Sequence, residues 1–428
     1  MMTHSFGGRT LAGALRHPAD EMVRPHLGIK VSLRAVGLFM AGMVTVSGHV
    51  GNGLAYFGPL TVLPTVALSF ALLTFVLLVP RSGGGGRAIL TVLATLVITA
   101  PGFLYAGSHE YAAGKVSGLL TVVLPLLIVV SFFTRKPSDL QPFWLGIYTL
   151  ATFGVCVGMF ELVSGVDIGL RGADTGASLN PIAAGRLGGT IILITVLGRV
   201  QYVPRLLQYV FALLGLGVLL GAASRGPLLA LIIAVICTTW GYRALRGRLA
   251  FVAGALSAAV VVGLGNLVLS ESADRLLSSG NDSGAGGRSS LWDLALRSLK
   301  IWPEGIGWGN YSADGLLQGT AEYPHNFLLE LALEAGVVAA LCAVILFAFV
   351  ARRLWKNMRF IGPLPFALLV FWFVTAQFSS DMNGNRVFIV ILFGLYAAFR
   401  NETTAMFDLA ADQIRDQPLL REESDGRP

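Results

Sequence analysis

The stretch PHNFLLELALEAGVVAALCAVILF, residues 324–347, decides the class of this protein. After its first three residues it is an apolar run that contains two charged side chains, Glu330 and Glu334. A helix of about 20 such residues spans the hydrocarbon core of a bilayer. Similar runs recur along the 428-residue chain, which is 54% hydrophobic and 13% charged. Because soluble domains carry about 25% charged residues, the sequence predicts an all-α polytopic membrane protein.

Hydropathy along the chain predicts about twelve transmembrane helices. The predicted helices cover residues 33–50, 58–80, 87–107, 116–134, 142–163, 181–199, 204–222, 226–242, 248–270, 325–351, 361–379 and 385–400. The chain then divides into an N-terminal tail (1–32), transmembrane helices 1–9 (33–270), a large outer loop (271–324), helices 10–12 (325–400) and a C-terminal tail (401–428).

The basic residues predict the orientation, because cytoplasmic connectors of membrane proteins carry an excess of lysine and arginine. Every second connector is basic. The residues concerned are Arg81, Arg87, Arg135, Lys136, Arg199, Arg205, Arg243, Arg246, Arg248, Arg352, Arg353, Lys356 and Arg359. The N-terminal tail is basic as well, which places both termini in the cytoplasm. The net charge of +7 is therefore a topology signal and does not indicate nucleic-acid binding.

Two segments of the outer loop 271–324 have recognisable patterns. SSLWDLALRSLKIW, residues 289–302, has helical periodicity and predicts an amphipathic helix at the membrane interface. The residues near its apolar face are Trp292, Leu296, Leu299 and Trp302. PEGIGWGNY, residues 303–311, has the composition of a glycine-rich turn.

His325 is the first candidate for chemistry. The orientation places it outside, in the first turn of the tenth span, with Pro324 at the first helical position, where proline is favoured. The partial positive charge of a helix N-terminus disfavours the imidazolium form, so a neutral imidazole there is suited to act as a general base near pH 7. The alternative is a capping or interfacial histidine, the role also expected for the outward His49 and His109.

The two glutamates of the tenth span are four residues apart and share a helical face. Carboxylates inside a membrane are costly and usually face the interior of the bundle. An interhelical hydrogen bond is the favoured role for Glu330 and Glu334, ahead of direct catalysis.

Outward arginines are the second signal, because the same charge rule depletes arginine on the outer side. Arg171, Arg186, Arg225 and Arg288 all lie in or beside outward segments. Arginine binds phosphate groups through a bidentate fork, so several of them would suit a diphosphate. The alternative is snorkelling to lipid head groups, which is favoured for Arg171. The sequence contains no metal-binding cluster, so a reaction here would depend on arginine electrostatics and one base.

Three motifs together resemble the shared region of the O-antigen ligase and polymerase superfamily. They are ASRGPLLAL (223–231), GRSSLWDLALRSLKIWPEGIGWGNY (287–311) and the PHNF stretch quoted above, and the resemblance covers roughly residues 220–350. The first 180 residues are similar to the family only in hydropathy and helix count.

The resemblance implies a twelve-span glycosyltransferase of the bacterial inner membrane, with a GT-C type architecture and no metal or other cofactor. Its partners would be a glycan donor on undecaprenyl diphosphate, a lipid A–core acceptor and the surrounding lipids, meeting at the periplasmic side. The resemblance assigns the base to His325, the diphosphate to Arg225 and Arg288, and a looser third contact to Arg186. Asn326 would support the helix end; Glu334 and Arg171 are further candidates.

Two alternatives stay open at this point. An O-antigen polymerase would lengthen the chain on its carrier, but such enzymes tend to have two large outer loops, and here 164–180 is short beside 271–324. Relatives that glycosylate other acceptors share the same core. A transporter is the alternative from another class, although repeats and charges in mid-membrane, which transporters usually show, are not evident.

Overall fold

The structure, a computed structural model, describes part of the chain. The described residues are 32–50, 62–78, 85–166, 179–198, 200, 203–222, 224–242, 285–312, 314–317, 321–378 and 381–399, with the backbone alone for 85–91 and 285–289. Apart from Ser32, they belong to the unit Leu33–Pro428.

The described residues form helices joined by turns and contain no strand. The helices are α1 (Leu33–Ser47), α2 (Leu63–Leu78), α3 (Gly85–Ile98), α4 (Ala100–Leu104), α5 (Glu110–Phe133), α6 (Gln141–Val163), α7 (Pro181–Leu197), α8 (Arg205–Gly221), α9 (Arg225–Gly241), α10 (Ala285–Leu299), α11 (Phe327–Ala335), α12 (Val337–Ile361), α13 (Leu364–Ala376) and α14 (Arg386–Phe399). In the bundle, α1 packs against α2 and α6, α7 against α8, and α9 against α13.

This all-helical architecture agrees with the predicted class, a helical membrane protein. Three segments are long and apolar enough to cross a membrane, Glu110–Phe133, Pro137–Val163 and Val337–Ile361, and several shorter helices are also apolar. Each predicted span within the described residues overlaps a helix, whereas span 248–270 lies outside them. The count of twelve and the GT-C architecture stay predictions.

The tenth predicted span, 325–351, corresponds to two helices in the structure. The structure divides it into α11 and α12 at Gly336, whose φ of 98° lies in the region that favours glycine. Helix α12 then continues to Ile361, so the basic residues from Arg352 to Arg359 lie in its last turns and not in a connector. Hydropathy could not show this, because one glycine at positive φ interrupts the helix without changing its apolar character.

The helix predicted in the outer loop is present, and Trp292, Leu299 and Trp302 of its predicted apolar face are partly buried against one cluster. Helix α10 ends at Leu299, and its buried positions are Leu291, Ala295 and Ser298, whereas Leu296 is 51% exposed. The glycine-rich turn covers the buried side of α10, because Ile306 and other residues after α10 pack in one cluster with Leu291 and Ala295. Contacts with this loop therefore determine which side of α10 is buried.

Candidate functional site

One end of the bundle, called the rim below, is organised around Arg186. The side chain is fully buried at the start of α7. Its Nη1 lies 3.2 Å from His49 Nε2, and its Nη2 donates to the Thr375 carbonyl oxygen (2.9 Å) and to Asn385 Oδ1 (3.2 Å). The guanidinium also lies over the Trp372 ring, 5.7 Å from its centroid. Arg186 thus joins the ends of α1 and α13 to the turn before α14.

The sequence suggested that His49 lies at the membrane interface, but the structure buries it between helices. It is only 6% exposed and packs edge-on against Trp372, with ring centroids 5.2 Å apart. The expectation was wrong because hydropathy places the end of a helix near the head groups but does not show which side chain a neighbouring helix covers. His109, by contrast, caps α5 by accepting from the Ala112 backbone N–H.

Sequence reasoning missed two charged residues, Asp381 in the turn before α14 and Arg386 at the start of α14. Arg386 donates from Nε to the Thr45 carbonyl oxygen (3.1 Å) and from Nη2 to Ser47 Oγ (2.8 Å), which ties α14 to the end of α1. Asp381 interacts electrostatically with both Arg186 and Arg386. A signal was available, since arginine and aspartate close together in a short outward connector are unusual in so apolar a chain.

His325 does not lie in the first turn of a helix. Helix α11 begins at Phe327, and Asn326 is its N-cap, accepting from the Leu329 N–H at 3.0 Å. The placement of Pro324 at the first helical position was therefore wrong, because the asparagine side chain supplies the cap. The expectation that Asn326 supports the helix end is confirmed.

The backbone of His325 adopts a left-handed conformation, with φ of 54°. Among the described residues it is the one non-glycine residue with positive φ. Such conformations cost on the order of 1–3 kcal/mol and concentrate at functional sites. The imidazole is half-buried, and its ring lies edge-on to Tyr323 with centroids 4.5 Å apart.

Tyr323 connects His325 to the charges of the rim. Burial, together with the carboxylates of Asp381 and Glu330, raises the pKa of Tyr323 to about 12, although Arg186 acts in the opposite direction. The phenol therefore stays protonated at neutral pH and can donate a hydrogen bond. The His325 segment is thus within electrostatic range of Asp381 and Arg186.

The outer loop is attached directly to the segment that carries His325. Trp292 donates from Nε1 to the Pro324 carbonyl oxygen at 2.9 Å. Arg288 lies on the same helix, α10, four residues before Trp292, which is about one turn. The structure thus brings the helix of Arg288 next to His325, although the Arg288 side chain is outside the described part.

Arg225 begins α9 at the same end of the bundle. A Cβ placed on the next residue, Gly226, would lie 3.2 Å from Phe378, just after α13, and one placed on Gly185 would lie 3.1 Å from Pro227. The starts of α7 and α9 are therefore adjacent. Unlike Arg186, Arg225 is exposed. Arg171 lies outside the described residues.

Glu330 and Glu334 form the interhelical contact that the sequence favoured, with a partner that it did not identify. Both carboxylates pair with the ammonium group of Lys115 on α5, and all three side chains are fully buried. Glu330 Oε1 also accepts from the Met382 N–H at 3.1 Å. A lysine near the start of an apolar run was the available signal.

An apolar cavity of about 500 Å³ adjoins this cluster. Side chains of α3, α11, α12 and α14 line it, among them Phe327, Ala343, Met382 and Leu392. Phe327 is two residues after His325, and Met382 follows Asp381, so the cavity begins beside the rim and continues between the helices. Within the described residues, no group of three or more His, Cys, Asp or Glu side chains could hold a metal ion.

Comparison with known families gives a result that agrees with a helical membrane protein. Residues 210–344 match the family model described as O-Antigen ligase. The matched region includes Arg225, Arg288, His325, Asn326 and Glu334. A search of curated proteins finds no match.

The family match supports membership of the O-antigen ligase and polymerase family, which the sequence motifs resembled. Members of this family are glycosyltransferase-like enzymes that act on O-antigen. The match therefore supports a role in the biosynthesis of lipopolysaccharide or a related polysaccharide, with polysaccharide or lipid-linked substrates in a membrane setting.

Proposed function

We propose that the protein is an O-antigen ligase. It transfers polysaccharide from undecaprenyl diphosphate to a sugar hydroxyl of lipid A–core oligosaccharide, on the periplasmic side of the inner membrane. Both termini are cytoplasmic in this proposal, as the basic connectors predict. The observation that carries it is His325, held in a left-handed conformation at the rim and joined through Trp292 to the helix of Arg288.

The proposed reaction is a direct displacement. His325 accepts the proton of the acceptor hydroxyl, and the oxygen attacks the anomeric carbon of the donor sugar. The bond from that carbon to the diphosphate oxygen breaks, its electron pair goes to the diphosphate, and the configuration inverts. No metal is required where guanidinium groups stabilise the charge that develops on the diphosphate.

Arg225 and Arg288 are the proposed diphosphate ligands. Arg225 is exposed at a helix N-terminus, a position that favours phosphate groups. Arg288 is brought to the rim by α10. Both roles follow the family resemblance together with this placement.

The remaining candidates have other roles in this proposal. Arg186 is buried among Thr375, Asn385 and His49, so in this proposal it orients the rim. Glu334 is held by Lys115 and does not touch substrate. Arg171 stays a proposal from the sequence.

The apolar cavity has the character that a polyprenyl chain requires. It is lined mainly by apolar side chains and begins at Phe327 and Met382, next to the proposed base. A lipid-linked donor could enter sideways from the membrane with its chain there and its diphosphate at the arginines. This favours an enzyme over a transporter, which would need a polar path through the bundle.

The proposal is tested with purified protein, undecaprenyl-diphosphate O-antigen, lipid A–core and EDTA. A ligase attaches glycan to lipid A–core, and EDTA does not reduce the rate. Longer lipid-linked chains with no glycan on the core would instead establish the polymerase, the second candidate. Loss of transfer in EDTA with recovery on added metal would contradict the metal-independent mechanism.

A further inference from the structure

A buried lysine joins two segments of the rim that are distant in sequence. The ammonium of Lys115 pairs with Glu330 and Glu334 on α11, and its backbone carbonyl accepts from Asn383 Nδ2 at 3.1 Å. One residue of α5 therefore contacts both α11 and the turn that contains Asp381.

Each glutamate has a second attachment. Glu330 Oε1 accepts from the Met382 N–H in the same turn. The Glu334 carbonyl oxygen accepts from the Gly307 N–H at 3.0 Å. The glycine-rich turn is thus fixed to the end of α11 that lies farther from His325.

The surroundings of Lys115 exclude water. The ammonium lies 5.5 Å from the Trp308 ring centroid and 5.8 Å from that of Tyr111. Charge interactions are stronger in such a low-dielectric environment than in water. The cluster of Lys115, Glu330 and Glu334 is therefore a buried connection between α5 and α11.

We propose that Lys115 is a positioning residue for the transfer reaction. Through Glu330 and Glu334 it fixes α11, and through Asn383 it fixes the Asp381 turn, so that His325 keeps its orientation relative to the arginines. The inference rests on the proposed function, because it takes His325 as the base. Lys115 itself touches no substrate in this account.

Stability alone does not account for the cluster. Replacing a buried ion pair or triad by uncharged residues of similar volume is often neutral or stabilising, whereas removing one partner leaves an uncompensated charge. The informative variant therefore removes all three charges together, as Lys115→Met, Glu330→Gln and Glu334→Gln. It retains the volume and loses the ionic connection.

The experiment measures kcat, KM for both substrates and thermal unfolding of full-length protein in detergent. For the triple variant we expect a melting temperature within about 5 °C of wild type. We expect kcat to fall on the order of 100-fold, as displacement of a catalytic group does, with KM changed by less than about twofold. Lys115→Arg, which keeps the charge, should retain more kcat than the triple variant.

Wild-type kcat in the folded triple variant would overturn the positioning role. If the triple variant does not fold, Glu334→Gln decides, since it keeps the pair with Glu330: lower kcat at constant KM supports the proposal, and unchanged kcat overturns it. Wild-type protein that transfers no glycan would overturn the proposed function instead. A wild type that is active and a His325→Ala variant that is inactive keep the two questions separate.

Discussion

The indole N–H of Trp292 donates to the carbonyl oxygen of Pro324 at 2.9 Å. The bond joins the outer-loop helix α10 to the residue that precedes His325, across 32 positions of sequence. It fixes the carbonyl group next to the left-handed His325, and it brings the helix of a proposed diphosphate ligand to the proposed base.

Replacing Trp292 by phenylalanine should lower the transfer rate while the protein stays folded. The ring remains but its donor is lost, and one hydrogen bond contributes about 1 kcal/mol, or roughly a factor of 5. Initial rates with saturating substrates measure the effect. Trp240→Phe is the control, because Trp240 is 78% exposed on α9; equal rates for the two variants would remove the Trp292 contact from the account.

Substitution of Arg225 should lower activity, whereas substitution of Arg186 should mainly lower stability. Because it is exposed, Arg225→Ala should leave thermal stability unchanged and lower kcat/KM for the lipid-linked donor by about 100-fold, as loss of a donor to a developing anion does. Arg225→Lys should recover part of this, since it keeps the charge and loses the fork. Arg297→Ala, at an exposed arginine of α10, should behave as wild type, and an equal loss there would indicate a non-specific charge effect.

Arg186→Met should act mainly on stability. The substitution removes the partner of His49, Thr375 and Asn385 inside the rim. Hydrogen bonds to a charged group contribute about 1.5–3 kcal/mol, so we expect a clear decrease in melting temperature. A variant with wild-type stability and no activity would instead assign Arg186 to direct contact with the diphosphate.

Filling the apolar cavity should weaken donor binding. Ala343→Trp places a large ring in a cavity of about 500 Å³, and overpacking of this kind costs on the order of 1–3 kcal/mol. KM for the undecaprenyl-linked donor should rise, whereas KM for lipid A–core should not. Ile345→Trp on the same helix is the control, because Ile345 is 67% exposed. A rise in KM for the acceptor alone would assign the cavity to the other substrate.

Hydropathy predicted the helices well because a bilayer demands long apolar segments, and it located α1, α6 and α7 within a few residues. It could not show the break at Gly336, which depends on one φ angle. The sequence placed His325 on a helix because proline is favoured at the first helical position, whereas in the structure the Asn326 side chain caps a helix that begins at Phe327.

The candidate site was predictable in part. The motifs identified His325, Arg225 and Arg288 as a group, and the structure brings their helices together at one end of the bundle. The pairing of Lys115 with Glu330 and Glu334 joins positions more than 200 residues apart and has no local signature. Asp381 and Arg386 are close together in the sequence, but their contacts with α1 and α7 have no local signature either.

The proposed role of His325 as the base is tested by comparing three forms of the protein. Initial rates of glycan transfer to lipid A–core are measured for wild type, His325→Ala and His109→Ala, the last replacing a half-buried histidine that caps α5. The account predicts a loss of about 100-fold or more for His325→Ala and a rate within about twofold of wild type for His109→Ala. A wild-type rate in folded His325→Ala would contradict the mechanism and leave His325 a structural role at the start of α11.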